Sequence, residues 1–345
     1  MTLETSVERV TLPLERPFTI ARGTTTTAEN VIVTVEDADG TRGIGGAAPS
    51  RHYGETAATV EAVMPALLEV VERYDEPEPV VDIERDLDGV VRANPAAKAA
   101  VSIALHDLVG KRHDIALHRW WGLERGVVNS SFTIGIDEPH EMAEQAAEAV
   151  ASGCDILKVK LGGDDDRAVI EAIRGAVPEV TIRVDANEGW RPKEAVAMTR
   201  FLAEHDVEFV EQPLPAEHSE ALAMVHERSP LPIAADESCV TLTDVPRAAE
   251  VADIANIKLM KCGGLLEARR MIHAARAHGM QVMLGCMAES NASIAAGAQL
   301  APMLDFADLD GSLLLADDPF DGPVRTDGSI ELDPTRPGTG ATRTG

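Results

Sequence analysis

Through the second half of the chain, short apolar runs recur at a steady interval. Strand-like runs fall at 132–136, 156–161, 181–185, 208–211, 233–236, 255–259, 281–284 and 306–310, with starts 22 to 27 residues apart. Between most of them apolar residues repeat every three or four positions, as helices do. One such pattern is read near 139–152, one opens on Pro192 at 192–205, and one covers 265–278. Strand and helix alternating at this period imply parallel βα units, and about eight of them imply an α/β protein built on a closed (β/α)8 TIM barrel. An open doubly wound sheet would want a glycine-rich phosphate turn after its first strand, and only Gly135 stands there.

The chain before about residue 125 has another rhythm. Alternating residues from Val7 to Leu12, the run Val31 to Val35 and a third run from Gly43 to Ala47, entered through Asp39-Gly40, read as a meander of strands. Helical patterns follow at 55–73 and 95–111. The expected division is therefore an N-terminal α+β capping domain at 1–125 and a (β/α)-barrel catalytic domain at 126–320. A C-terminal segment at 321–345, with a strand at 329–332 and a loose end, returns towards the capping domain.

Composition narrows the class. The 345 residues are 45% hydrophobic and only 3% aromatic, so the core should be aliphatic and alanine-rich. A net charge of −27 argues against nucleic acid and against an anionic membrane as partner, and a surface this acidic looks like adaptation to high salt. No basic stretch followed by an apolar one opens the chain and no run of about eighteen apolar residues occurs, so a cytoplasmic protein is expected. Cys154, Cys239, Cys262 and Cys286 lie in separate segments and read as reduced, buried thiols. The oligomeric state, a homo-oligomer included, stays open.

Lysine is scarce, seven residues against 24 arginines, yet four of the seven sit in two apolar runs. In Ile156-Leu157-Lys158-Val159-Lys160-Leu161 the two lysines share one strand face; the second run is Ile257-Lys258-Leu259-Met260-Lys261. Strand ends taken in order carry Lys160, Asp185, Glu211, Asp236 and Lys258. Chemistry in such barrels gathers at those ends. The three acids are 26 and 25 residues apart, one βα unit each. Three converging carboxylates repel unless a hard cation lies between them, and Mg2+ suits an oxygen-only donor set with open positions.

Lys160 and Lys258 fall four strands apart in a ring of eight, on opposite sides of that cation. A lysine becomes a base when its pKa is lowered, which the cation, or Lys158 and Lys261, would do. Two bases facing each other suit removal of a proton from one face of a carbon and its return to the other. Next to a carboxylate, that proton is roughly twenty pK units less acidic than a lysine, on the order of 27 kcal/mol. Positive charge at the developing enediolate must supply most of the difference.

These motifs resemble the enolase superfamily over nearly the whole chain, in its muconate-lactonizing subgroup and most closely the L-Ala-D/L-Glu-type dipeptide epimerases. A lysine base working with Mg2+ is an established pattern of that superfamily. The resemblance implies Lys160 and Lys258 as the acid/base pair and Asp185, Glu211 and Asp236 as metal ligands. It implies that Asp308-Leu309-Asp310 on the eighth strand holds the ammonium of a dipeptide substrate. It further points to Lys158, to Met287 in Leu284-Gly285-Cys286-Met287, and to first-domain loops at 22–27 and 50–56, with Arg51, His52 and Tyr53, as substrate-binding. Arg22 would clamp a glutamate side chain, although Gly23 stands where some relatives carry arginine, and Glu289 would instead favour a cationic one. The expected reaction is inversion of the C-terminal residue of an L-Ala-D/L-Glu-like dipeptide. An o-succinylbenzoate synthase-like lyase or a muconate cycloisomerase-like enzyme would use the same lysines and metal, but their substrates carry no ammonium for the Asp308–Asp310 pair. A non-catalytic barrel would leave that array without purpose.

Overall fold

A computed structural model describes residues 3–124 and 129–344; the expected boundary at 125–126 lies outside the described residues. The first unit is a three-stranded antiparallel sheet, β1 (Glu4–Ile20), β2 (Gly23–Glu36) and β3 (Arg42–Ala47), covered by α1 (Ala57–Val71), α2 (Val80–Val90) and α3 (Pro95–Arg112). The hairpin β1–β2 is much longer than the apolar alternation suggests, because Pro13 and Pro17 interrupt the alternation of β1 and Gly23–Thr26 at the tip end of β2 are exposed. Its register shifts between Pro13 and Phe18, where Pro13 and Pro17 lack the ladder's N–H donors. There β1 turns to the barrel, and Glu15 N donates to Leu314 O. Ala21 and Arg22 form the two-residue tip, Gly23 taking φ +133°, and Ile136 N donates to Thr19 O to pin the tip to the barrel.

Helix α3 lies directly on β3. A Cβ at Gly43 or Gly45 would come within 2.0 Å of the Ala104 or Ala100 carbonyl, so only glycine permits this approach. The α3 N-terminus is capped from another element: Glu55 accepts from Ala96 N (2.9 Å), a carboxylate where the helix dipole favours one. Helix α2 carries its apolar residues, Val80, Ile83 and Leu87, on a single stripe of an otherwise charged segment and was not anticipated from the sequence.

After α4 (Leu117–Trp120) come eight parallel strands: β4 (Phe132–Ile134), β5 (Ile156–Lys160), β6 (Thr181–Asp185), β7 (Val207–Glu211), β8 (Ile233–Ala235), β9 (Ile254–Lys258), β10 (Gln281–Gly285) and β11 (Phe306–Asp308). They are hydrogen-bonded in that order, and Ser131 N donating to Ala307 O joins the two ends, as a TIM barrel requires. Helices α5 (Pro139–Ala151), α6 (Asp166–Ala176), α7 (Pro192–Ala203), α8 (Ser219–Arg228), the short α9 (Val245–Ala248) and α10 (Leu259–Cys262), α11 (Leu265–Ala277) and α12 (Asn291–Ala298) follow successive strands. Strands β8 and β11 stop earlier than expected, leaving Asp236 and Asp310 in the loops just beyond them.

Alternation divides the barrel. Outward residues such as Leu157, Val159, Ile182, Val184 and Ile257 join the aliphatic core under the helices. Inward, a lower layer of Phe209, Ile254, Met283 and Phe306 packs as a plug, and two residues further along the same faces stand Glu211, Asn256, Gly285 and Asp308. In the C-terminal segment, Gly338 O accepts from Leu117 N and Thr339 N donates to Asp107. The expected strand at 329–332 is only an isolated Val324–Ile330 bridge, and the end is not loose, since β12 (Phe320–Asp321) pairs with β13 (Thr342–Arg343). No helix among the described residues is long and apolar enough to cross a membrane.

Candidate active site

Strand register sets the level of the inward groups. Lys160 pairs with Asp185, Asp185 with Glu211, and Gly285 with both Lys258 and Asp308. Carboxylate oxygens of Asp185, Glu211 and Asp236 lie within 4.8 Å of one another, close enough to hold a metal ion, and all three residues are buried. Lys160 Nζ donates to Asp185 (2.6 Å) and Lys258 Nζ to Asp236 (2.8 Å), from β5 and β9 on opposite sides of the triad. At Gly285 a Cβ would meet the Asn256 amide at 2.8 Å and Lys258 Cε at 3.1 Å, so glycine leaves the lysine its space.

Burial alone would push every acid of the triad up. Asp185 is nevertheless lowered, because Lys160 and Lys158 outweigh burial, and Asp236 falls well below its ordinary range under Lys258 and Lys261. Glu211 is pushed up to about 8, first by burial and then by the charge of Asp185. Its Oε1 accepts from Asn256 Nδ2 (2.6 Å). Its Oε2 lies 2.7 Å from Lys158 Nζ but has no hydrogen-bonded partner among the described residues. A buried, oxygen-only set with one unsatisfied carboxylate oxygen fits a hard divalent cation.

The two neighbouring lysines are themselves held by acids. Lys158 Nζ contacts Asp308 (2.7 Å) and Glu211, and lies 3.3 Å from Asp185. Despite burial, these acids hold it well above its ordinary pKa. Lys261 Nζ is enclosed by Asp236 Oδ1 (2.6 Å) and the carbonyls of Asp236, Cys239 and Asn256. Burial works to lower Lys258, but Asp236 prevails and raises it. For Lys258 the pull of Asp236 thus outweighs both burial and the like charge of Lys158.

Asp308 and Asp310 are both buried but not equivalent. Asp308 accepts from Lys158 and from Ser131 Oγ (2.6 Å) and is lowered, against burial, by Lys158. Asp310 accepts Thr133 N–H (2.6 Å) and is pushed up to about 7 by burial and by Asp308, so it is the carboxylate with capacity for another cation. Met287 lies past β10, half-buried, its N–H donating to Glu289 Oε1 (2.9 Å). Glu289 also accepts from Ser293 Oγ, so both its oxygens are tied to its own loop.

Arg22 and Tyr53 lie on the capping side of the ring. Arg22 Nη1 pairs with Glu237 Oε1 (2.7 Å), lies 3.4 Å from Glu188 Oε2 and donates to Asn187 O (3.2 Å). The expected clamp is thus already ion-paired. Tyr53 is half-buried beside His52, and burial with Asp236 and Glu237 nearby raises its hydroxyl pKa. Glu188, Glu237 and Asn256 were missed in the sequence. Asn256 could have been found, since it shares the inward face of β9 with Lys258 as Lys158 shares that of β5 with Lys160. Asn187 and Glu188 take φ +42° and +68°, a left-handed turn that aims Glu188 over the ring and has no signature in those residue types. Asn187 N–H donates to Asp185 Oδ1 (2.8 Å), which holds the turn.

The chain resembles known proteins along nearly its whole length. Residues 141–343 match the family described as enolase C-terminal domain-like, and residues 2–122 match the mandelate racemase / muconate lactonizing enzyme N-terminal domain. The chain is 43% identical to an L-Ala-D/L-Glu epimerase of Bacteroides thetaiotaomicron, over 93% of this chain and 83% of that protein. It is 37% identical to a hydrophobic dipeptide epimerase of Roseobacter litoralis, over 94% of each. A dipeptide epimerase from Enterococcus faecalis, solved with Mg and L-Leu-L-Tyr, superposes with a TM-score of 0.95 at 35% identity, over 99% of this chain and 100% of that one.

Proposed function

From the premise that this chain belongs to the enolase superfamily, in the branch of mandelate racemase and muconate lactonizing enzyme, we propose that it is a Mg2+-dependent dipeptide epimerase. It inverts the α-carbon of the C-terminal residue, as relatives named for L-Ala-D/L-Glu do. The observation that carries the reading is the placement of Lys160 and Lys258 on β5 and β9, facing each other across the triad.

Asp185, Glu211 and Asp236 would hold the cation, which would supply positive charge beside the substrate carboxylate. Asp310 receives the substrate ammonium at β11, while Asp308 chiefly holds Lys158 in place. The α-carbon then lies between the two lysines. One Nζ removes its proton, forming the planar enediolate, and the other Nζ delivers a proton to the opposite face. Because the reaction runs both ways, each lysine is base for one configuration and acid for the other. The hairpin tip and the 51–53 turn cover the ring and keep water from the intermediate. Asp310 favours this reading over the lyase and cycloisomerase alternatives, whose substrates offer it no ammonium.

The test is incubation of a dipeptide panel with Mg2+-loaded enzyme in D2O. Uptake of one deuterium at the C-terminal α-carbon, with inversion, is expected for a subset. A Mg2+-loaded protein that exchanges no dipeptide would overturn the proposal.

A further inference from the structure

Resting on that reading, we propose that Arg22 is the counter-charge of two acids in the substrate's side-chain pocket, and that this pocket selects a cationic C-terminal residue over an anionic one. The argument assigns the four substituents of the reacting carbon. Its hydrogen points to Lys160 or Lys258. Its carboxylate goes to the triad, and its amide nitrogen leads towards Asp310. The side chain is the fourth substituent and must rise towards the capping domain.

What it meets there is fixed by topology. Asp308 ends β11 and Asp310 follows it in the next loop, and β7 lies four strands from β11 in either direction round the ring. Glu188 follows β6 and Glu237 follows β8, so the two acids flank the side opposite the ammonium site. Both approach Arg22, at 3.4 Å and 2.7 Å, beneath the hairpin tip. The remaining ring at this level is His52, whose Nε2 is 3.8 Å from Glu188 Oε2; burial and Arg22 lower its pKa, so it brings no positive charge.

Two carboxylates therefore share one guanidinium. Glu188 Oε1 accepts from Ala216 N (2.8 Å), and the buried Glu237 Oε2 has no partner among the described residues. That unpartnered oxygen asks for a donor, which an ammonium or guanidinium side chain supplies. An anionic side chain must instead displace one of the acids from Arg22 or be buried beside both, and like charge in a poorly solvated site is costly. His52, Glu188 and Glu237 also lie as close together as metal ligands do, but Arg22 already occupies the space between the two acids and offsets only one of their charges.

The experiment compares kcat/KM for deuterium exchange into L-Ala-L-Lys, L-Ala-L-Leu and L-Ala-L-Glu with Mg2+-loaded enzyme. The lysyl dipeptide is expected to exceed the glutamyl one by about tenfold or more. Glu188→Gln should shrink that ratio several-fold, chiefly by raising KM for the lysyl substrate, a change that loss of a structural contact alone would not produce. A glutamyl dipeptide turned over as fast as the lysyl one, or faster, overturns this inference and leaves the epimerase reading standing. No exchange in any of the three also overturns this inference, and exchange in the wider dipeptide panel then decides the epimerase reading separately. An unchanged ratio in Glu188→Gln removes Glu188 from the pocket and overturns the inference as stated.

Discussion

The floor and the roof of this site are built on different principles. On the floor, Lys160, Asp185, Glu211 and Lys258 are strand residues whose height and direction follow from β-ladder register, with Asp236 one residue past its strand. On the roof, Arg22, His52, Glu188 and Glu237 come from turns and loops, and their arrangement rests on ion pairs between segments far apart in sequence. A rigid floor carries the chemistry common to many substrates. A roof of turns can exchange residues without disturbing the register beneath it.

The comparison breaks most sharply at the lysines. Lys160→Ala or Lys258→Ala should lower kcat for exchange by about a thousandfold or more while the protein folds and still binds Mg2+; activity near wild type in either variant would refute the two-base assignment. Removing the metal with EDTA should abolish exchange, and readdition should restore it. The linkage sign is specific. Glu211 sits near 8 in the cation-free fold against an ordinary 4.5, so it keeps a proton at pH 7 that Mg2+ must expel. The cation-free protein is accordingly most stable, in this respect, below the ordinary value and loses that stability as pH rises towards 8. Titration calorimetry in buffers of different ionisation enthalpy should show proton release, and Mg2+ affinity should climb between pH 6 and 8.

Asp310→Asn tests the site that joins floor to substrate. Loss of a charge-assisted contact to the ammonium should raise KM for dipeptides by roughly 10- to 100-fold, with a smaller change in kcat. Far from the chemistry the effects become small. Glu55→Ala removes the cap of α3 and should cost about 1 kcal/mol of stability, read as a lower denaturation midpoint with little change in turnover per folded molecule.

The floor was legible in the sequence because strand alternation is local. Once the period of the βα units is read, Lys158 and Lys160, then Asp185, Glu211 and Lys258, follow by counting. The same rule reaches Asn256, two residues before Lys258. Elsewhere local rules run out. They do not show that Lys158 binds Asp308 or that Lys261 is enclosed by Asp236 and three carbonyls. They assign the specificity acid to Glu289, whose oxygens are occupied within its own loop. The length of the hairpin is not legible either, because the alternation of β1 breaks at Pro13 and Pro17 and its distal apolar residues, Leu12, Leu14 and Ala28, are buried with Leu315 from the end of the barrel sequence.

By itself, then, the sequence determined the barrel, the order of its strand ends and the residues of the triad and its flanking lysines, since period-two alternation and a regular βα repeat are properties of neighbouring residues. Only the tertiary structure decided which charges meet. The pairing of Arg22 with Glu237, and of Lys158 with Asp308, joins residues that no local pattern links. Ring closure brings β11 to β4, and the hairpin tip is carried over the barrel mouth. The electrostatics of the pocket arise from those closures, because a buried charge is set by what surrounds it in space.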